Sequence, residues 1–319
     1  MRPACVAFAL LCAAGLAPAQ VGPGQRAVAS PFDLAESIES GRSIDWDLVL
    51  PKGAADTSPR PLPRCGDPQY SPCDVELMVV QHPAQAILLV QQADVRGDFF
   101  VRFIGQGDQW SFGGSYLAPL KYYPSRHGMM RVSEKPFMKV SEQGISGTGL
   151  ASEIEEWFDL TLPDFEPVFS FPVQGHQYLV PSDIGRAITG FAMEDRRSPV
   201  ETIIADLTVR FSFGGTDIGQ MESTGIYERP PGERRFSLRK ALIDGYGPTA
   251  TPIGTSDFEN LADLDRGPAN ERILTYTFSR LKEIASGNDA EAKEAIRAFL
   301  EECQDTPEKR ELEEVLKMR

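Results

Sequence analysis

The chain has 319 residues, of which 41% are hydrophobic and 24% charged, a balance that excludes a wholly disordered protein. Its formal net charge is −14 and its pI is about 4.8, so it lacks the excess of Lys and Arg on which binding to nucleic acid or to an anionic membrane surface depends. The length suffices for one or two domains.

The first twenty residues have the pattern of a secretory signal peptide. A basic second residue is followed by an apolar run from Ala4 to Leu16 and by small residues at 17–19, which are typical of a cleavage site. The apolar run is too short for a membrane-spanning helix, and no later stretch is long enough. We therefore expect residues 1–19 to be removed and the product to be exported, to the periplasm or the extracellular space. A retained anchor and a lipoprotein modified at Cys12 are the alternatives.

Two cysteines lie close together in the sequence CGDPQYSPC. The Gly, Pro and Asp residues between Cys65 and Cys73 let the chain bring the two thiols together, and an oxidising compartment makes their bond stable. We predict a Cys65–Cys73 disulfide, which the chain-entropy relation values at roughly 2 to 3 kcal/mol. Since Cys5 and Cys12 leave with the signal peptide, Cys303 remains, and we expect it to be a buried thiol on a helix face.

Residues 20–74 are predicted to form an N-terminal region with a short helix and a Pro-rich linker. Ser30 and Pro31 are typical of a helix start and Gly41 of a helix end. Alternating apolar residues at 44–50 predict a strand or an extended segment. Six prolines between residues 51 and 72 indicate a linker that the disulfide holds in place.

Residues 75–246 are predicted to form an antiparallel β-rich core domain. Short runs rich in branched and aromatic residues lie at 75–81, 84–91, 98–105 and 167–173. From Glu201, the sequence ETIIADLTVRFSFGG alternates apolar and polar residues, as a sheet with one buried face requires. Turn sequences at 214–215 and 230–235 connect it to further strands, which predicts a meander.

Three glycines, Gly144, Gly147 and Gly149, raise the question of a phosphate-binding loop. A P-loop requires a Lys after its glycines, and the dinucleotide fingerprint requires a third Gly where this chain has Ser152. Ser152 and Glu155 instead match a capping box. We expect a turn followed by an acidic helix.

Residues 257–319 are predicted to form a helical segment. Amphipathic patterns cover 270–286 and 289–303, and Thr306 with Pro307 begins a third helix. The complete prediction is an α+β fold, with a largely antiparallel β-sheet or meander core and a C-terminal three-helix segment.

The sequence contains no complete motif for a nucleophile, a metal or a cofactor. The serine elbow G-x-S-x-G is interrupted at Thr148. The three histidines, His82, His127 and His176, are isolated from one another and from any zinc motif. We therefore predict no metal site and no cofactor. Glycoside hydrolysis needs only two carboxylates, which have no fixed spacing in sequence. Our first candidates for such a pair are Glu155, Glu156 and Asp159, beside Trp157.

Aromatic residues are concentrated between Phe99 and Tyr123, where eight of the 29 in the chain occur. The phenylalanines and Trp110 fit a core, because aromatic rings supply much of the buried area of a core. Polar loop residues are more typical of binding. We predict a ligand site in which the rings of two tyrosines, with their polar hydroxyls, lie beside an arginine and a histidine. Trp110, Phe112 and Tyr116 are separated by even numbers of residues, so in a regular strand they would lie on the same face. The predicted ligand-binding residues are Tyr122, Tyr123, Arg126, His127, Trp110 and Tyr116.

These features favour a non-catalytic binding or interaction protein of the envelope or extracellular space. Its expected partner is a carbohydrate or peptide ligand, or another envelope protein, and nucleic acid is not expected. The alternative is a secreted hydrolase that uses carboxylates on glycans or peptides.

Overall fold

The computed structural model describes residues 27–51, 62–81, 84–93, 97–107, 109–119, 125–147, 150–179, 184–214, 216–243, 250–263 and 270–317. It combines antiparallel sheets with C-terminal helices, which confirms the predicted α+β fold class. The chain divides into two compact units: unit 1 contains Met1–Gln143 and Glu156–Phe169, and unit 2 contains Gly144–Glu155 and Ser170–Arg319. The predicted signal peptide lies outside the described residues, and the predicted domain boundaries stay a prediction.

Unit 1 begins with a short strand, β1 (Ala27–Val28), and a helix, α1 (Pro31–Glu39). The hydroxyl of Ser30 accepts a hydrogen bond from the main-chain N–H of Phe32, and Pro31 occupies the first helical position. The predicted start signal is therefore confirmed. Gly41 follows the helix with a φ of 71°.

The predicted strand over 44–50 is wrong, because this segment contains a short helix, α2 (Trp46–Val49). The carboxylate of Asp45 accepts a hydrogen bond from the N–H of Asp47 and caps the turn. Trp46, Val49 and Leu50 are buried, whereas Leu48 is 61% exposed. That burial follows the spacing of a helical turn, so the alternation of apolar residues was misleading here.

The main sheet of unit 1 is antiparallel, in the order β1-β5-β4-β3-β2. Its longer strands are β2 (Cys73–Val80), β3 (Gln85–Gln92), β4 (Gly97–Gln106) and β5 (Gln109–Pro119). One face packs against α1 and α2. The opposite face packs against side chains of β6 (Arg126–Val132), β7 (Lys135–Gly147) and β8 (Leu150–Asp159). The sheet therefore has an apolar core on each side.

The helix predicted after Gly149 is wrong, because residues 150–159 form strand β8. Trp157 and Phe158 are both fully buried although they are neighbours and point to opposite faces. A strand covered on both faces shows no clean alternation, which removed the usual sequence signal. The capping-box pattern at Ser152 is a local preference that the tertiary contacts of β8 override.

Unit 2 contains six strands that are hydrogen-bonded in the order β14-β13-β12-β11-β10-β9. Every second residue of β11 from Ile203 to Phe213 is buried, as the sequence predicts. The strands are β9 (Phe169–Leu179), β10 (Ile184–Glu194), β11 (Glu201–Phe213), β12 (Thr216–Arg229), β13 (Ser237–Ile243) and β14 (Thr251–Ile253).

Three C-terminal helices of unit 2 lie where the sequence predicts them. They are α4 (Asn270–Ser286), α5 (Ala290–Glu301) and α6 (Pro307–Lys317). The hydroxyl of Thr306 accepts a hydrogen bond from the N–H of Lys309 and begins α6. One more helix, α3 (Thr255–Ala262), precedes them and overlaps the start of the predicted helical segment, so the described part of that segment contains four helices where three were predicted. Among the described residues, no helix combines the length and the apolar composition that crossing a bilayer requires.

The ring of Phe258 on α3 belongs to an aromatic cluster of unit 2. Phe258 is fully buried, and its ring centroid lies 6.3 Å from that of Phe171 and 6.4 Å from that of Tyr227. Beside α3, the buried guanidinium of Arg186 donates hydrogen bonds to Gln177 Oε1 at 2.8 Å and to the carbonyl oxygen of Asp263 at 3.0 Å. These contacts fix the start of the helical segment.

Candidate functional site

The predicted aromatic loop is only partly within the described chain. Tyr122 and Tyr123 lie outside the described residues. Arg126 is exposed at the start of β6, and His127 follows it with its side chain half-buried. A binding role for this group stays a prediction.

The imidazole of His127 contacts other side chains of unit 1. Its Nε2 atom lies 3.2 Å from Oε2 of Glu76 on β2, and its ring meets that of Phe100 edge-on, with centroids 5.8 Å apart. A ligand that used this imidazole would therefore have to compete with Glu76.

Trp110 and Tyr116 lie on opposite faces of β5, so the prediction that they share a face with Phe112 is wrong. Trp110 and Phe112 pack with the core beneath α1 and α2, whereas Tyr116 packs with the opposite core. A bulge causes the change: Arg102 pairs with Gly114 and Phe103 pairs with Phe112, which leaves one extra residue in β5. Such an insertion reverses the faces of all later side chains.

At the bulge, Phe165 packs directly against the backbone of β5 at Gly114. Gly114 has a φ of 129°, and a Cβ atom there would lie 2.4 Å from Cβ of Phe165. Only glycine fits at that position. The neighbouring glycines Gly113 and Gly114 therefore allow close internal packing within unit 1.

The hydroxyl of Tyr116 has two carboxylate partners in unit 1. Its oxygen lies 2.7 Å from Oε2 of Glu142 and 2.6 Å from Oε2 of Glu156. Its ring meets that of Phe158 edge-on at a centroid distance of 4.7 Å. Burial, followed by the charges of the two glutamates, raises the pKa of Tyr116 far above its ordinary value. Tyr116 therefore keeps its proton and acts as a donor.

The other carboxylates of the hydrolase hypothesis have different environments. Asp159 is buried and accepts hydrogen bonds from the main-chain N–H and the hydroxyl of Thr161, at 2.8 and 2.6 Å. It thereby caps the turn after β8. Glu155 is buried as well. Glu156, the third of these candidates, lies within hydrogen-bond distance of the Tyr116 hydroxyl, which also contacts Glu142.

A cleft with a volume of about 630 Å³ opens in unit 1 beside the predicted and confirmed disulfide between Cys65 and Cys73. One wall is the connection between α1 and α2, and the other wall is the segment that leads into the disulfide loop. The lining residues are Ser43, Ile44, Asp45, Trp46, Asp47, Leu62, Pro63, Arg64, Cys65 and Asp67.

Two buried side chains hold the walls of the cleft in place. The indole Nε1–H of Trp46 donates a hydrogen bond of 2.7 Å to the carbonyl oxygen of Pro63, so it links the two walls. Gln92 on β3 accepts from the N–H of Arg64 at 2.8 Å and donates to the carbonyl oxygen of Ser71 at 2.7 Å. The segment before the disulfide is thus fixed from both sides.

The backbone at Gly66 lies directly against the segment that follows α1. Its φ is 75°, and a Cβ atom there would lie 2.4 to 2.7 Å from main-chain atoms of Arg42 and Ser43. Glycine is required both by this conformation and by this proximity. The short disulfide loop therefore packs its backbone directly on the backbone that follows α1.

The charged groups of the cleft are mainly acidic. Asp45, Asp47 and Asp67 line it together with one cation, Arg64. Arg64 Nη1 donates to the hydroxyl of Tyr70 at 2.8 Å, and the guanidinium lies 4.9 Å from the centroid of that ring. Ile44 and Leu62 add apolar side chains to this mainly acidic lining.

Two of the three histidines lie within the described residues. His127 belongs to unit 1 and His176 is exposed in unit 2, while His82 lies outside the described residues. Within the part of the chain that the structure describes, no three His, Cys, Asp or Glu side chains are grouped so as to hold a metal ion.

Sequence reasoning missed the cleft because its prolines indicated a linker. The disulfide could be predicted from CGDPQYSPC, but the approach of Gly66 to residues far from it in the chain has no local signal. Comparison of the chain with protein-family models, with curated proteins and with solved structures found no match. The geometry of the chain itself is therefore the basis for assigning a function.

Proposed function

We propose that this protein is an exported, non-catalytic binding protein and that the cleft beside Cys65 holds its ligand. The observation that carries the proposal is the cleft itself, with its volume of about 630 Å³. Pockets for small ligands typically have volumes of roughly 300 to 1,000 Å³. The signal-like N-terminus and the disulfide support export, since such bonds persist in oxidising compartments.

The construction of the cleft supports binding of a ligand to a preformed site. Trp46, Gln92 and the disulfide each fix a different part of its walls. A site that is already ordered loses little conformational entropy when a ligand binds, and this favours affinity.

The charges of the cleft favour a ligand with a positive group. Three aspartates and one arginine line the cleft, so a Lys or Arg side chain gains more than an acidic one. Ile44 and Leu62 offer contacts to an adjacent apolar side chain. Between the two ligand classes predicted from the sequence, a basic peptide fits these features better than a neutral carbohydrate.

The proposal is tested by titrating the full-length chain with two pentapeptides that alternate leucine with lysine or with glutamate. Tryptophan fluorescence reports binding, because Trp46 lines the cleft. We expect saturable binding of the lysine peptide that weakens with salt, and none of the glutamate peptide. Asp47→Asn should weaken binding, whereas Asp33→Asn on α1, outside the cleft lining, should leave it unchanged. Equal weakening by both variants, or no binding of any peptide, would refute a cleft site.

The hydrolase is a second candidate because Glu142 and Glu156 lie within hydrogen-bond distance of one hydroxyl. Two close carboxylates are the minimum equipment for glycoside hydrolysis. Glu142 is only 4% exposed, however, which disfavours access by a glycan. Turnover on a glycan panel that disappears in a folded Glu156→Gln variant would favour this candidate over the binding protein.

A further inference from the structure

The imidazole of His127 has one ring nitrogen with a partner and one without. Its Nε2 atom lies 3.2 Å from Oε2 of Glu76, whereas Nδ1 is buried and has no hydrogen-bond partner among the described residues. An ionised carboxylate can only accept a hydrogen bond, so Nε2 carries the hydrogen and, in the neutral ring, Nδ1 has the lone pair. Buried polar atoms are normally paired, so this nitrogen is an exception that needs an explanation. A ligand at Nδ1 does not compete with Glu76.

Two methionines are neighbours of His127 on one face of the strand pair β6–β7. Met129 follows His127 by two residues, and Met138 on β7 pairs directly with Met129. Residues two apart in a strand share a face, and so do residues directly opposite each other, so Met138 is a diagonal neighbour of His127. Long side chains reach one another at this spacing. Since Nδ1 is attached to the ring carbon that joins Cβ, it stays near the strand, where both thioethers can reach it.

A third methionine belongs to the same apolar core. Met78 lies on β2 and is buried. It packs in one cluster with Met138 and Phe100, and Met129 packs against that cluster. The ring of Phe100 also meets that of His127 edge-on. Three of the eight methionines of the chain therefore share one core with the imidazole. Packing does not require this concentration, because Leu, Ile, Val and Phe fill a core with better-defined rotamers.

We propose that unit 1 binds a copper(I) ion in this core through one imidazole nitrogen and three thioethers, those of His127, Met78, Met129 and Met138. Thioethers are soft ligands that suit copper(I), whereas zinc takes thiolates, imidazoles and carboxylates. No three side chains of those zinc-binding types are grouped within the described residues. Glu76 has the place that a carboxylate takes behind a metal-bound histidine, where it fixes the tautomer and the orientation of the ring.

The proposed site is accessible from solvent although its deepest ligand is buried. Met129 and Glu76 are half-buried and the side chain of His127 is 16% exposed, whereas Met138 is fully buried. An ion can therefore enter past Met129, and a metal site needs such an entry path. Thioethers do not form disulfides, so they suit the oxidising compartment that is proposed for this protein.

This site is separate from the cleft beside Cys65. Trp46 of the cleft packs with the core beneath α1 and α2, whereas Met78 and Met138 pack with the core on the opposite face of the sheet. Copper binding is therefore a further property of unit 1. Its test and the peptide titration are independent, and neither result decides the other.

The first test titrates the full-length chain with copper(I) under anaerobic conditions, in competition with a coloured copper(I) chelator. Cys5, Cys12 and Cys303 are replaced by alanine, because thiols also bind copper(I), and the disulfide stays intact. We expect saturable binding of one copper(I) ion per chain. An excess of zinc(II) should not displace it, because thioethers are not typical zinc ligands.

Replacing a thioether with leucine tests the ligands at nearly constant volume. Met129→Leu and Met138→Leu should each weaken copper(I) binding by about tenfold or more, because losing even an outer-shell partner of a metal site costs about 10- to 100-fold. Met130→Leu is the matched control: it changes the next residue of β6, which lies on the opposite face, and should leave the affinity unchanged. If all three variants bound copper(I) equally well, the proposal would be overturned.

Glu76 is a positioning residue, and two substitutions separate its hydrogen bond from its packing. Glu76→Leu removes the acceptor for the Nε2–H of His127 and should weaken copper(I) binding by about 10- to 100-fold. Glu76→Gln retains an acceptor oxygen and should keep most of the affinity. His127→Gln should weaken binding at least as much as Glu76→Leu. Equal affinities of the two Glu76 variants would contradict the positioning role.

A second measurement keeps every methionine and covers the case in which a leucine variant fails to fold. Silver(I) replaces copper(I), because it is a soft ion of the same charge that is stable in air. In NMR spectra of ¹³C-labelled methionine methyl groups, silver(I) should shift the signals of Met78, Met129 and Met138. The signals of Met193 and Met221 in unit 2 should stay in place. Shifts confined to other methionines, or the absence of any shift, would overturn the proposal.

Discussion

The side chains of Arg102 and Gln85 converge on one acceptor, the main-chain carbonyl oxygen of Leu160, at 2.7 and 2.6 Å. Arg102 Nε also donates to Gln85 Oε1, and its Nη1 donates to the carbonyl oxygens of Leu162 and Asp164. Burial lowers the pKa of Arg102 to about 10, although nearby carboxylates oppose the shift. One buried cation thus fixes the turn that follows β8.

Replacing Arg102 with leucine should destabilise the protein by about 3 to 5 kcal/mol, because Gln85 Oε1 and the carbonyl oxygens of Leu162 and Asp164 lose the donor described here, while the carbonyl oxygen of Leu160 keeps Gln85 alone. Urea unfolding followed by tryptophan fluorescence measures the loss. The control Arg42→Leu alters an exposed arginine and should stay within about 0.5 kcal/mol of the wild type. If the two variants were equally stable, the role given to Arg102 would be wrong.

The parts of the fold that were predicted correctly are those whose signals are local. Ser30 and Pro31 begin α1, the alternation after Glu201 marks β11, and the amphipathic repeats mark the last three helices. Two of the wrong predictions involve contacts distant in sequence. Strand β8 is covered on both faces, and the bulge at Gly114 depends on Phe165. Neither contact leaves a periodic signal.

Gly66→Ala should disrupt the cleft wall, because the new Cβ would collide with the main chain at Arg42 and Ser43. We expect a loss of about 2 kcal/mol or more in stability, together with weaker binding of the lysine peptide. Gly41→Ala is a matched control: its φ of 71° is similar, yet nothing lies within 4 Å of its added Cβ. That variant should lose only about 1 kcal/mol. Equal losses would show that the backbone contact at Gly66 is unimportant.

Gln92→Leu should loosen the segment that leads to the disulfide. It leaves the N–H of Arg64 and the carbonyl oxygen of Ser71 without their side-chain partner, at a cost of roughly 1 to 3 kcal/mol. Faster amide hydrogen exchange at Arg64 would show that the effect is local. Gln91→Leu changes the neighbouring, less buried residue of β3 and should leave that exchange rate unchanged. An unchanged rate in Gln92→Leu would contradict the role of Gln92.

The cleft was harder to predict than the fold because its walls come from separate parts of the chain. Trp46 and Pro63 are seventeen positions apart and Gln92 and Arg64 are twenty-eight apart, yet each pair is joined by a hydrogen bond. The prediction from composition singled out Trp110 and Tyr116 instead, and the bulge in β5 separates those two rings. A count of aromatic residues contains no information about which face each ring occupies.

The thiols of the natural product test the proposed export. Burial raises the pKa of Cys303 to about 12, so iodoacetamide should react slowly with the native protein. In denaturant without a reductant, a processed chain should gain one adduct, at Cys303, because Cys65 and Cys73 are joined. A chain that retained its first 19 residues would also be modified at Cys5 and Cys12.

Mass spectrometry after alkylation distinguishes these cases, and reduction before alkylation should add two adducts, at Cys65 and Cys73. Modification of those two cysteines in unreduced natural product, or recovery of a peptide containing Cys5, would contradict export through a cleaved signal peptide.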